Sequence, residues 1–123
     1  MLFALIPMAA FAEGEKSGKC TWEFDSETKT LTISGTGNIS VFALNNNSKF
    51  YSMAPWRENN EISRNLEKVI IEDGVAGIGQ YAFYECPALK EVTLPDSVTT
   101  IYNHAFYSCT ALEKINIDKV TKI

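Results

Sequence analysis

Three cysteines and one histidine are the residues in this chain whose types could support covalent or metal chemistry: Cys20, Cys86, Cys109 and His104. Cys86 and Cys109 each close the same short motif, Ala-Phe-Tyr-x-Cys, at 82–86 and again 23 residues later at 105–109. A thiol pair at equivalent positions could be a disulfide or half of a metal site, and neighbouring coils of a repeat could bring the two within bridging distance. Zinc would need two further ligands, and no Cys-x-x-Cys or paired histidine supplies them. A ladder of small buried thiols that pack like apolar residues fits the same spacing and is the favoured reading. His104 could in principle activate Cys109, but a cysteine–histidine hydrolase also needs an orienting group and an oxyanion hole. The first copy of the motif has Tyr81 where the second has His104, so repetition alone accounts for the histidine. "GTGNIS" at 35–40 opens like a phosphate loop but lacks the later glycine and the following Lys-Ser/Thr. A strand end and turn explains it better. The acidic residues do not follow the spacing of a calcium loop. No metal, cofactor or catalytic residue is expected, and the chain is not read as an enzyme.

What positions these residues is a repeat. "LEKVIIEDGVAGIGQYAFYECPA" at 66–88 aligns with "LKEVTLPDSVTTIYNHAFYSCTA" at 89–111, and a third unit begins "LEKINIDKVTKI" at 112–123. Leu66, Leu89 and Leu112 correspond, as do Val69, Val92 and Ile115, then Ile71, Leu94 and Ile117. Val75 and Ile78 match Val98 and Ile101; the third unit is one residue shorter before Val120. The L-x-x-V-x-I stretch ends with period two, which predicts a strand, with Val69 and Ile71 on one side and Lys68 and Ile70 on the other. "EDG" and "PDS" read as turns. "VAGI" and "VTTI" read as short extended segments, and the Ala-Phe-Tyr-x-Cys stretch as a compact turn or short helix that returns the chain. One such unit cannot bury its apolar side alone, whereas stacked units can, as a parallel ladder. Phe83 and Phe106 are expected to be buried at equivalent places in successive coils.

This pattern resembles the BspA-like leucine-rich repeats, whose units approach L-x-x-V-x-I-P-x-S-V-T-x-I-x-x-x-A-F-x-x-C. "LKEVTLPDSVTTIYNHAFYSC" fits almost throughout; the first unit departs with "IEDGV". The resemblance implies a β-rich solenoid, a right-handed leucine-rich-repeat coil of short parallel strands and short helical turns. It also implies a non-catalytic bacterial surface or secreted protein that binds other molecules. It extends more weakly over 20–65, which looks like an N-terminal cap.

Within that cap "TWEF", "DSETK" and "TLTIS" read as a β-hairpin, with Trp22 and Phe24 sharing a face, as do Leu31 and Ile33. "NNNS" at 45–48 is a loop signal, and Ala54-Pro55-Trp56 can start a short helix with Trp56 laid over the first repeat. The glycosylation sequons at Asn38 and Asn46 are such in form only. Ahead of the cap, "MLFALIPMAAFAEG" holds no charge before Glu13 and ends its apolar run at Ala10-Phe11-Ala12. It is read as a secretory signal, 1–12, cut after Ala12. The cap is then 13–65 and the repeats 66–123. Apart from the signal, no transmembrane segment is expected.

The net charge of −4, with no cluster among the 11 basic residues, argues against nucleic acid or an anionic membrane surface as partner. Charge does pattern the repeat: Glu67, Lys90 and Glu113 share one position, and Lys68, Glu91 and Lys114 the next. Down a parallel ladder each column alternates in sign, which favours this register. The ligand-facing residues would be Lys68, Ile70, Glu91, Thr93, Lys114 and Asn116, binding protein or glycan. The alternatives are an accessory domain of a larger exported enzyme, or a structural repeat in a surface array. Because the third unit halts before its turn, the chain is expected to continue into further repeats or to pair end to end.

Overall fold

The computed structural model describes residues 19–39, 42–44, 50–52, 54–58 and 60–123. The signal segment, the "NNNS" stretch and Ser40 of the first sequon lie outside the described residues.

The hairpin forms where alternation predicts it. Strand β1 (Lys19–Asp25) pairs antiparallel with β2 (Thr30–Ile39), setting Trp22 opposite Ile33 and Phe24 opposite Leu31. All four side chains are buried. Its tip is an Asx turn: the Asp25 carboxylate accepts from the backbone N–H groups of Glu27 and Thr28, at 2.9 and 3.3 Å. Lys29 closes the turn with a left-handed backbone, φ 56°.

Two short strands, β3 (Phe42–Leu44) and β4 (Phe50–Ser52), form a separate antiparallel pair. Helices α1 (Pro55–Glu58) and α2 (Asn60–Asn65) follow. Proline suits a first helical position because its missing N–H would be unpaired there anyway. Trp56 is fully buried: its Nε1 donates to the Ala82 carbonyl at 2.7 Å, and its ring stacks on Phe83 at 5.4 Å. The expected placement of this tryptophan over the first repeat is what the structure shows.

Each repeat then supplies two strands to the stack. The first coil gives β5 (Lys68–Ile71) and β6 (Val75–Ile78), the second β7 (Glu91–Thr93) and β8 (Thr100–Ile101), the third β9 (Lys114–Ile115). The main sheet runs β8-β6-β2-β5-β7-β9, with β1 attached to β2. Strand β2 is therefore the pivot. Its first half pairs parallel with β5, Leu31 to Val69 and Ile33 to Ile71; its second half pairs parallel with β6, Gly37 to Val75 and Ile39 to Ile78. Its length lets one strand serve both runs, and the pairing with β6 shifts register after Gly37. "GTGNI" is thus continuous strand, neither a phosphate loop nor the strand end and turn expected from the sequence.

The register between coils is the one the repeat predicts: Val69 with Val92, Val92 with Ile115, Ile78 with Ile101. Backbone bonds recur with it. The Lys29 carbonyl accepts from Glu67 and Lys68, the Glu67 carbonyl from Lys90 and Glu91, and the Lys90 carbonyl from Glu113 and Lys114. Leu66 and Leu89, Ile71 and Leu94, Val75 and Val98, and Ala82 and Ala105 fill one core between the two strand runs. The fold is a short parallel-strand solenoid whose hairpin is built into the stack.

Of the two forms expected for the Ala-Phe-Tyr-x-Cys stretches, the compact turn is the one that forms, because left-handed residues recur at matching places: Tyr81 and His104 (φ 62° and 60°), Glu85 and Ser108 (φ 52° and 63°). One expectation needs correction. Phe83 is fully buried, but Phe106 is only half-buried. Its ring stacks on Phe83 at 5.4 Å, and among the described residues no ring covers its other side.

Candidate functional site

The residues with reactive side chains come together only as packing. Cys20, Cys86 and Cys109 are free thiols. Burial pushes the Cys86 thiol up to about 12, with the neighbouring Cys109 adding to the shift. Burial also raises Cys109, whose Sγ donates to the Phe83 carbonyl at 3.0 Å. A nucleophilic or metal-binding cysteine needs its thiolate favoured, and these sites do the opposite. His104 stacks on Tyr81 at 5.1 Å with the rings 9° from parallel. It therefore stands in an aromatic column, as Tyr107 stands on Tyr84 at 5.5 Å. Among the described residues no cluster of three or more His, Cys, Asp or Glu side chains is grouped to hold a metal ion. None of the described helices is long and apolar enough to cross a membrane.

The broad outward surface is the face of β1, β2, β5, β7 and β9 that points away from the core. Alternation along each strand puts every second residue there. The pairings then align those residues in rows. One row runs Asp25, Thr30, Lys68, Glu91, Lys114; the next runs Glu23, Thr32, Ile70, Thr93. Of the six residues the sequence nominates, Lys68, Ile70 and Glu91 are half-buried in these rows, while Thr93 and Lys114 are exposed. Asn116 lies just past β9, exposed, with its amide already engaged. The Leu94 N–H donates to Asn116 Oδ1 and Asn116 Nδ2 donates to the Leu94 carbonyl, both at 2.8 Å. Asn116 thus does for Leu94 what the backbone of a longer β9 would do.

The charge columns behave as their alternation predicts at the lower rungs. Glu67 pairs with Lys29 at 3.4 Å and with Lys90 at 3.6 Å, and Lys68 approaches Glu91 at 4.0 Å. The hydrogen bond from Lys29, then the charge of Lys90, hold the Glu67 carboxyl below the usual range. These pairs are solvent-exposed, so they set register more than they stabilise.

What the nominated set misses is the hairpin. Glu23, Asp25, Thr28, Thr30 and Thr32 join Lys68 and Ile70 around a groove of about 550 Å³ at that end of the face. The signal for this was present: "KTLTI" at 29–33 has the outward and inward alternation of "EKVII" at 67–71. Read that way, the hairpin strand is a degenerate first rung.

This architecture defines a leucine-rich-repeat solenoid. The family model for the BspA type leucine-rich repeat region (six copies) matches residues 60–123, and the chain belongs to that family. Among solved structures, a leucine-rich repeat protein from Eubacterium ventriosum superposes with a TM-score of 0.67 at 24% identity, covering 84% of this chain and 25% of that one. A leucine-rich cell surface protein from Faecalibacterium prausnitzii gives a TM-score of 0.49 at 28% identity, covering 94% of this chain and 32% of that one. The chain thus spans about a quarter to a third of these solved chains. No curated protein matches the sequence.

Proposed function

We propose that the chain is a recognition module of a secreted or cell-surface protein, binding protein or glycan through the outward face of its strand ladder. The observation that carries this reading is the pair of in-register rows from Glu23 and Asp25 on the hairpin to Thr93 and Lys114 on the coils. Carboxylates, hydroxyls and ammonium groups alternate along them, with Ile70 as the aliphatic member. Such a lining offers donors and acceptors in a fixed pattern on a rigid scaffold, which suits a hydrogen-bonding ligand. The groove at the hairpin end lies along these rows.

The surface location rests on family membership and on the apolar segment 1–12, read as an export signal; 13–65 would be the cap and 66–123 the repeats. In this reading the Lys68, Glu91, Lys114 column contributes specificity and association rate more than affinity.

The test is a binding screen of the purified protein against an array of glycans and a panel of extracellular matrix proteins. Wild type is compared with Lys68→Glu, which reverses one charge at the centre of the rows. The reading predicts at least one ligand whose signal falls about tenfold or more in the variant, with the circular dichroism spectrum unchanged. Concentration-dependent self-association with no ligand on either surface would instead favour a structural array repeat.

A further inference from the structure

A second, separate cleft lies on the turn side of the molecule, where α2 meets the cysteine turns of the first two coils. It has a volume of about 320 Å³, at the small end of the range for ligand clefts. Two arginines line it, Arg57 and Arg64, together with Asn60, Ser63, Ser108 and Thr110. None of these belongs to the ladder face.

The arginines are placed by different devices. Arg57 follows Trp56, whose indole is fixed by its bond to Ala82 and its stack on Phe83. The Arg57 guanidinium then lies over the Tyr84 ring, 5.6 Å from the centroid, and Nη1 donates to the Glu85 carbonyl at 3.2 Å. Its Nε is buried and has no hydrogen-bond partner among the described residues. A guanidinium has five donors, so this one is held firmly while under-satisfied. Arg64 is exposed on α2, whose Ile62 is buried in the core and whose Ser63, 1% exposed, lies beside the cleft. Side-chain hydroxyls of the second coil, Ser108 and Thr110, complete the lining.

Two planar cations with hydroxyl and amide neighbours form a site for an oxyanion, which a guanidinium engages with two parallel bonds. Glu85 stands at the same cleft. Its carboxylate offsets one of the two positive charges, which favours a monoanion over a phosphate dianion. Short hydroxyl and amide groups match the hydroxyls of a sugar, and Pro87 in the lining offers a small apolar surface for a ring face. We propose that this cleft binds the monoanionic group of an acidic carbohydrate: the carboxylate of a uronic or sialic acid, or a sulfate ester.

The experiment titrates the full chain, followed by amide chemical shifts and by calorimetry, with four probes: tetragalacturonate, a sulfated disaccharide, neutral maltotetraose and tetraglutamate. The proposal expects at least one of the two charged sugars to shift the resonances of 60–64 and 108–110, with the neutral sugar at least about tenfold weaker. The stronger charged sugar identifies the group as carboxylate or sulfate. Arg64→Gln, at an exposed position, should weaken the charged sugar about tenfold. Arg57→Lys, which keeps the charge and loses the fork, should do the same, while Lys114→Gln on the ladder face should change nothing. The proposal is overturned if neither charged sugar binds, if Arg64→Gln leaves binding unchanged, or if tetraglutamate binds as tightly as the sugars. That last result would mark the cleft as an acidic-peptide site.

Discussion

The Ala-Phe-Tyr-x-Cys motif is spent on contacts between coils, one column per residue. Ala82 sits over Ala105 in the core, Phe83 stacks on Phe106, Tyr84 on Tyr107, and Cys109 bonds back to the Phe83 carbonyl. Two measurements follow at this scale. Phe83→Ala removes a ring packed between Trp56 and Phe106 and should cost about 3–5 kcal/mol in urea unfolding; Phe106→Ala, half-buried, should cost roughly half as much. Equal losses would mean that the stack is more evenly covered than it is drawn here. The thiols give the second measurement. With Cys86 pushed up to about 12 and Cys109 raised by burial, both should resist a thiol reagent at pH 8 in the native protein and react fully in urea. Because the folded-state pKa lies above the unfolded one, the native state keeps a proton that the unfolded chain loses. The contribution to stability is therefore present below the ordinary thiol range and declines as pH rises toward 12. Rapid native labelling of Cys86 would contradict this placement.

At the scale of elements, the turn between β5 and β6 carries a tight constraint. Gly74 has φ 108°, and a Cβ there would run into the Gly35 carbonyl oxygen on β2. Gly74→Ala should lower stability by about 1–3 kcal/mol, and a neutral effect would show that the hairpin and first coil are not in close contact. The second coil has Ser97 at this place, whose Oγ accepts from the Gly74 N–H at 3.1 Å and donates to the Val75 carbonyl at 2.7 Å. Much of this was legible beforehand. The columns Val69/Val92/Ile115 and Ile78/Ile101 follow from period-two alternation plus a 23-residue repeat, because parallel register leaves no other way to bury one side of each strand. The role of β2 left only a faint signal, since Leu31 and Ile33 repeat the inward positions of Val69 and Ile71 without sharing the rest of the consensus. The bonding of Asn116, whose amide closes on both the N–H and the carbonyl of Leu94 in the coil below, was not legible. The arginine cleft was invisible because Ser108 and Thr110 lie far along the chain from Arg57 and Arg64 and meet them only in the folded stack.

For the whole molecule, the consequence of building the hairpin into the stack is one uninterrupted outward face. Glu23 and Asp25 stand at one end and Thr93 and Lys114 at the other, with a single backbone ladder beneath them. Because Cys20 and Cys86 are buried and the half-buried Cys109 bonds its Sγ to the Phe83 carbonyl, a single engineered cysteine can block this face selectively. The most direct measurement is therefore ligand binding after coupling a bulky polyethylene glycol maleimide to Thr93→Cys, an exposed position in the second row. The same label on Asp96→Cys, in the following turn, serves as the control. The account predicts that the ligands found in the array lose binding to the Thr93→Cys conjugate and keep it with the Asp96→Cys conjugate. Undiminished binding to the Thr93→Cys conjugate would contradict the assignment of this face as the recognition surface.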